Sequence, residues 1–334
     1  MKARYYRELD KDAVQCMMCP HECKLEPGQT GICKVRTNAQ GTLLSDNYGK
    51  VCSLHLDPIE KKPLYHYHPG RNILSVGTVG CNLHCRFCQN WEISQSSVKD
   101  YPYLTEYIPE LIVQMASDEE GNLGLAYTYN EPTVWYEFMH DIAVQAAEKG
   151  LKNVMVTNGF INPDPLRDLM PVIHAFSVDL KAFTETFYRR LTSSSLAPVL
   201  ESLKTIRQSG RHLEITNLLI PDQNDDEKDF RRMLEWIRTE LGSETVLHIS
   251  RFFPTYKLIH NSTPESLLLS FYDIASEYLD HVYLGNIQSD RGRDTFCPQC
   301  GQKLISRIGY STRIQGLTES GNCDNCESVI GITT

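Results

Sequence analysis

The chain has 334 residues, 41% hydrophobic and 22% charged, with 42 Asp plus Glu against 33 Lys plus Arg for a formal net charge of −9. This excludes a disordered, collagen-like or coiled-coil protein. The acidity argues against a broad nucleic-acid grip, which needs concentrated positive charge.

The N-terminus, MKARYYRELDKDAVQCMMC, has no apolar signal segment. No apolar run approaches the ~20 residues of a membrane helix. The expectation is a cytoplasmic protein with no membrane or nucleic-acid partner. Three zones follow in order. Residues 1–70 form a Cys-rich N-terminal region with weak periodicity; residues 71–290 alternate short apolar runs with amphipathic stretches; residues 291–334 form a Gly- and Cys-rich tail.

The middle zone predicts strands over Ile73–Val79, Leu123–Tyr129, Asn153–Thr157, Ala175–Leu180, His212–Leu218 and Thr245–Ser250, with a weaker one at His281–Leu284. Helices are predicted over Glu106–Ala116, Thr133–Lys149, Pro165–Met170, Pro198–Ser209, Lys228–Leu241 and Pro264–Leu279. Within Thr133–Lys149, Trp135, Phe138, Ile142 and Ala146 recur at helical spacing. Strand–helix alternation implies a parallel α/β sheet with right-handed crossovers. About six units suit a partial (β/α)6 TIM-type barrel; the competing architecture is a doubly wound open sheet.

Eleven of the 12 cysteines fall into three groups, leaving Cys52 alone. In a reducing compartment, clustered cysteines bind metal or do redox chemistry. Directly after the first predicted strand, Cys81, Cys85 and Cys88 sit in VGTVGCNLHCRFCQNWEISQ. Three thiolates can grip one face of a 4Fe–4S cluster and leave the fourth iron open. A loop after a strand also lies at the C-terminal face of a parallel barrel, where active sites form. Two other readings compete: a structural zinc with His84 as fourth ligand, and a redox dithiol at Cys85 and Cys88.

GCNLHCRFCQN resembles the signature of radical S-adenosylmethionine (SAM) enzymes, C-x3-C-x-aromatic-C. The nearest resemblance is to relatives of the pyruvate formate-lyase activating enzyme, and within them to the radical SAM proteins of the AmmeMemoRadiSam system. It is carried also by CMMCPHECKLEPGQTGICKVR, LDPIEKKPLYHYHPG, LAYTYNEPTVWYEF, TNGFI, VDLKAF, LLIPDQND, HISRFFP and VYLGNI, across residues 16–287.

The resemblance implies a 4Fe–4S cluster on Cys81, Cys85 and Cys88, reductive cleavage of SAM, and hydrogen abstraction by a 5′-deoxyadenosyl radical. It places Phe87 near the adenine. Tyr129, Asn130, Glu131 and Pro132 stand where relatives have Gly-Gly-Glu-Pro for the SAM amino group. Glu131 is the charged acceptor for an ammonium, and the alternative is a helix N-terminal charge. Asn130 would add a side-chain contact. Thr157 and Asn158 would touch the SAM carboxylate or ribose, or simply form a turn with Gly159. Asp179 and Lys181, two apart on one face of a strand, would line the SAM and substrate site, the alternative being an internal ion pair. Asn217, His248 and Arg251 would face the barrel mouth. No role is read for Glu60, Lys61 and Lys62. The resemblance further implies an electron donor of flavodoxin or ferredoxin type, and as partners either a glycyl-radical protein or Memo-like and AMMECR-type proteins.

In the tail, Cys297, Cys300, Cys323 and Cys326 form paired C-x2-C knuckles, the pattern of a zinc ribbon, with rubredoxin-type iron as competitor. Cys16, Cys19, Cys23 and Cys33 could hold zinc or a second cluster. Two other functions stay open from sequence alone: a non-catalytic iron–sulfur electron carrier or sensor, and a zinc-dependent binding module.

Overall fold

A computed structural model describes all 334 residues. The N-terminal arm begins with a small antiparallel sheet of β1 (Tyr6–Glu8), β2 (Val14–Cys16) and β3 (Lys24–Leu25). A hairpin of β4 (Arg36–Ala39) and β5 (Thr42–Ser45) follows, then β6 (Lys50–Val51). Next come β7 (Ser53–Pro58) and β8 (Asn72–Gly77), an antiparallel pair. After β8 the chain runs through the cysteine loop to α1 (Trp91–Ser94), β9 (Thr105–Glu106), which pairs with β6, and α2 (Pro109–Asp118).

The repeating part continues with β10 (Asn122–Tyr127), α3 (Tyr136–Glu148), β11 (Lys152–Thr157), α4 (Pro163–Leu169) and β12 (Ala175–Asp179). Then follow α5 (Glu185–Phe187), a π-helical turn at Tyr188–Thr192, α6 (Ala197–Gln208), β13 (His212–Leu219), α7 (Glu227–Leu241), β14 (Val246–Arg251), α8 (Glu265–Ser276) and β15 (Val282–Gly285). The tail is a three-stranded antiparallel sheet of β16 (Thr295–Phe296), β17 (Lys303–Ile308) and β18 (Ser311–Ile314).

The main sheet has eight strands in the order β15-β14-β13-β12-β11-β10-β8-β7. All seven strands from β8 to β15 within it are parallel, and only β7 is antiparallel. The parallel strands follow one another in chain order with no reversal, which a doubly wound sheet would require, and the edge strands β7 and β15 do not pair, so the architecture is the expected partial barrel, with seven parallel strands where about six units were counted. The parallel strands are buried on both faces: every residue of β12 but Asp179 is buried, as helix-covered strands must be. α7 shows the complementary logic. Phe230, Met233, Leu234, Ile237 and Leu241 form one buried stripe. Asp226 caps its start, accepting from the Asp229 N–H at 3.0 Å, and Gly242 ends it.

The boundary at residue 70 differs from the zones read in the sequence. β7 belongs to the barrel sheet, so the barrel reaches upstream of residue 71. The arm and the barrel also share one hydrophobic core of 66 residues running from Ala3 to Leu284. The tail has its own small core of Cys297, Leu304, Ile305, Cys323, Ile330 and Ile332. It nevertheless docks tightly: buried Arg307 donates to the Tyr65 carbonyl at 2.8 Å and stacks 4.3 Å from the Tyr65 ring centroid. Thr312 Oγ1 donates to Glu60 Oε1 at 2.7 Å, so Glu60 is a docking residue for the tail. No helix is long and apolar enough to cross a membrane.

Candidate functional site

A cavity of about 470 Å³ opens at the C-terminal ends of the parallel strands. Cys81, Cys85, Cys88 and Phe87 line one end; Asn130, Glu131, Thr157 and Asn158 line the ends of β10 and β11; Asp179 and Lys181 line that of β12. Open α/β sheets and barrels bind ligands at this face.

The cysteine loop is held from every side. Gly80 has φ of +93°, and a Cβ there would stand 2.8 Å from the Cys33 carbonyl and from both Val35 methyls, so only glycine lets the loop pass the arm. The Asn130 side chain accepts from the Thr78 N–H at 3.2 Å and donates to the Gly80 carbonyl at 2.8 Å. His84 and Arg86 donate their backbone N–H groups to Thr192 and Leu191 in the π-helical turn, at 2.8 and 2.9 Å. The His84 ring bonds to the Ile32 carbonyl at 3.2 Å, an attachment to the arm and not to the cysteines. The sulfurs of Cys81, Cys85 and Cys88 are spread more widely than the 4.8 Å within which the four tail sulfurs gather. Burial pushes the Cys85 thiol up to about 12, with Lys181 opposing. Thiolates in such a setting need a cation to compensate them, which a metal cluster supplies.

Glu131 is buried, and two segments converge on it. Oε1 accepts from the Thr133 N–H at 3.0 Å, Thr133 Oγ1 at 2.6 Å and Thr157 Oγ1 at 2.7 Å; Oε2 accepts from the Asn158 N–H at 2.8 Å. The bonds from Thr133 cap the 3-10 turn Pro132–Trp135, so the helix-terminus reading of Glu131 is correct as far as it goes. Yet Oε2 has a single donor and the residue lines the cavity. Burial pushes its pKa above the usual carboxylate range, against the pull of those hydrogen bonds. A cationic ligand group would reverse that.

Tyr129 stands where the resemblance expects glycine, and its backbone keeps the glycine conformation, with φ of +70°. That conformation costs an ordinary residue about 1–2 kcal/mol. Its carbonyl accepts from Asn90 Nδ2 at 2.7 Å, and its hydroxyl donates to Asp57 Oδ2 at 2.6 Å. Asp57 also meets Lys61 and Lys62, each at 2.7 Å, and the Lys62 ammonium sits 4.7 Å from the Tyr129 ring centroid. Burial works to raise the Asp57 carboxyl, but these three partners hold it well below the usual range. Burial lowers Lys62. Lys61 and Lys62, with no role assigned from sequence, thus form the cavity rim together with Tyr310 of the tail.

Lys181 Nζ meets Asp179 Oδ2 at 2.9 Å and lies 5.9 Å from the Phe87 ring centroid. Burial disfavours its charge, but Asp179 and the Cys85 sulfur overcome that and raise it. Phe87 packs on Phe187.

Four expectations are corrected. His248 is buried beneath the cavity and does not line it; its Nε2 bonds Glu214 Oε2 at 2.7 Å. Glu214 also accepts from His212 and from the Tyr65 and His66 N–H groups, so His248 belongs to an interior polar network. Asn217 points to the helix side, donating to the Leu180 carbonyl at 2.7 Å, and Arg251 donates to the Thr263 carbonyl at 2.8 Å. Their neighbours Thr216, Leu218 and Ser250 line the cavity instead, as strand alternation requires. Asn130 lines the cavity, but both ends of its amide are committed to the cysteine loop; it positions that loop.

In the tail, Cys297 and Cys326 lie 3.6 Å apart, as do Cys300 and Cys323. All four sulfurs fall within 4.8 Å of one another. A tetrahedron of 2.3 Å metal–sulfur bonds has edges of about 3.8 Å, so these four fit a single ion.

Residues 75–236 match the family model described as the Radical SAM superfamily. The chain is 42% identical over 334 residues to an uncharacterized protein of Methanocaldococcus jannaschii, covering 99% of each. It is 24% identical over 169 residues to the pyruvate formate-lyase-activating enzyme of Listeria monocytogenes, covering 48% of this chain and 67% of that one. Among solved structures, Streptococcus suis SuiB bound to S-adenosylmethionine superposes with a TM-score of 0.51 at 14% identity, over 65% of this chain and 52% of that one. A radical SAM methyltransferase from Sphaerobacter thermophilus gives 0.51 at 14% identity, over 65% and 67%. These two structures share the fold.

Proposed function

Because this chain belongs to the radical SAM superfamily and has relatives among the pyruvate formate-lyase-activating enzymes, we propose that Cys81, Cys85 and Cys88 would hold a 4Fe–4S cluster at this cavity and that SAM would bind in it. The observation that carries this reading is the convergence on one cavity of three thiols and a buried carboxylate with a free lone-pair direction. When bound and reduced, the cluster and SAM supply an electron and a 5′-deoxyadenosyl radical that removes hydrogen from a substrate.

The residues divide the remaining work. Glu131 accepts the SAM ammonium through Oε2. The Asn158 amide, 3.8 Å from the Cys81 sulfur and 2.9 Å from Asn82 Oδ1, fixes that ligand's orientation. Lys181, oriented by Asp179, keeps positive charge beside Cys85 and the SAM carboxylate. Phe87 shields the cluster side from water. Substrate enters past Lys61, Lys62, Tyr129 and Tyr310. An electron donor of flavodoxin or ferredoxin type reduces the cluster. The substrate is a partner protein or a small molecule presented by one; a glycyl-radical protein and the Memo-like and AMMECR-type proteins are the candidates the resemblance supplies. The tail holds zinc as a structural ion that keeps Tyr310 and Arg307 against the barrel.

The test is electron paramagnetic resonance of the anaerobically reduced protein. SAM should shift the signal of an iron–sulfur cluster that is missing from Cys85→Ala. A cluster signal of which no component responds to saturating SAM would turn the reading toward an electron carrier.

A further inference from the structure

The N-terminal arm gathers a second set of thiols that the barrel site does not use. Cys16, Cys19, Cys23 and Cys33 line one small cavity of about 20 Å³ together with Gly31 and Arg36. A Cβ at Gly31 would lie 3.7 and 3.8 Å from the sulfurs of Cys23 and Cys33, so that glycine walls the cavity without filling it. Cys16, Cys19 and Cys33 are buried and Cys23 is half-buried.

The three cysteine groups of this chain can be compared directly. The tail sulfurs gather within 4.8 Å, with 3.6 Å edges, as one tetrahedral ion requires. No three sulfurs of the N-terminal group come that close. All four instead line one shared cavity of about 20 Å³. In this they are like Cys81, Cys85 and Cys88, the set assigned to an iron–sulfur cluster above, which also do not gather within 4.8 Å.

A second observation points the same way. Arg36, only 2% exposed, lines this cavity. Its Nη2 pairs with Glu137 Oε2 at 2.8 Å, but its Nε and Nη1 have no hydrogen-bond partner. Buried orphan donors are costly. Inorganic and cysteinyl sulfurs of an anionic cluster would satisfy them, and hydrogen bonds to sulfur also tune a cluster's potential.

We propose that Cys16, Cys19, Cys23 and Cys33 ligate a second 4Fe–4S cluster, with Arg36 as its buried counter-charge. With every iron bound to thiolate, it offers no open site for substrate and is suited to carrying single electrons. It lies against the catalytic loop: the Cys33 carbonyl abuts Gly80, and the His21 ring bonds to the Asn82 carbonyl at 2.8 Å.

The proposal is tested on the full-length chain, reconstituted anaerobically and desalted, by counting acid-labile sulfide, to which a mononuclear tail ion contributes nothing. The wild type should carry about eight sulfides per chain and the Cys81→Ala/Cys85→Ala/Cys88→Ala variant about four. That variant leaves the arm untouched, and its reduced signal should ignore SAM. Cys16→Ala/Cys19→Ala should also retain about four, with a signal that SAM shifts. About four sulfides in the wild type and none in the barrel variant, with zinc in the arm, would overturn the proposal while sparing the barrel reading. About four in both would overturn the barrel reading alone. A folded chain with none would overturn both.

Discussion

Asn130 clasps Gly80 across two strand ends: it donates to the Gly80 carbonyl at 2.8 Å while accepting from the Thr78 N–H at 3.2 Å. One side chain at the end of β10 thereby fixes the backbone leading into Cys81. Asn130→Ala leaves a buried donor and a buried acceptor unpaired, at about 1–3 kcal/mol each. The variant should fold, lose iron to a chelator severalfold faster than the wild type, and melt at lower temperature. Equal rates of iron loss would show that the clasp does not hold the loop.

Glu131→Gln removes the negative charge facing the cavity while keeping the acceptor for the Thr133 cap. A hydrogen bond to a charged group contributes about 1.5–3 kcal/mol, so SAM should bind about 10- to 150-fold more weakly. Iron content should not change. Titration calorimetry with unaltered affinity would leave Glu131 with its capping role only.

The interior network sets the acid stability. Burial opposes the Glu214 charge, but His212 and His248 hold the carboxyl well below 4.5. Burial holds His66 well below 6.5. In both cases the native state binds fewer protons than the unfolded chain, so stability rises with pH. The His66 contribution is therefore complete above pH 6.5 and declines below it; that of Glu214 is complete above 4.5 and declines below it. Urea unfolding should show both regions, and Glu214→Gln should abolish the lower one. It should also cost about 3 kcal/mol or more at pH 7, because the amide nitrogen would face the backbone N–H of either Tyr65 or His66, which bond to different carboxylate oxygens. A stability profile flat from pH 7 to 4 would contradict this.

Much of this was legible in the sequence, and the misses have local causes. All seven parallel strands carry apolar runs that periodicity finds. β7 was hidden because it buries Asp57 and exposes Leu56, inverting the alternation a half-buried strand normally shows. The cysteine motif, Glu131 and the Asp179–Lys181 pair sit at strand ends, where local pattern and position agree. His248 shares a face with Ser250 but lies one step deeper, a depth that alternation does not reveal. The Asp57–Lys62–Tyr129 cluster joins residues 72 apart in sequence at most, and the docking of Thr312 on Glu60 spans 252; no short motif announces either.

The tail should be separable in metal but not in position. Cys297→Ser/Cys326→Ser should lose one ion per chain and lower the melting temperature, while the iron of the barrel remains. Freed from its ribbon, Tyr310 would leave the cavity rim, so partner-dependent hydrogen abstraction should weaken more than SAM cleavage itself. Loss of barrel iron together with the tail ion would refute independent sites.

The cavity above Cys81, Cys85 and Cys88 is proposed to cleave SAM. The most direct measurement of this is the formation of 5′-deoxyadenosine by the anaerobically reconstituted, dithionite-reduced protein, quantified by chromatography. 5′-Deoxyadenosine should form in a SAM- and reductant-dependent way and disappear in Cys85→Ala. A fully loaded, reduced protein that binds SAM and forms none would contradict it.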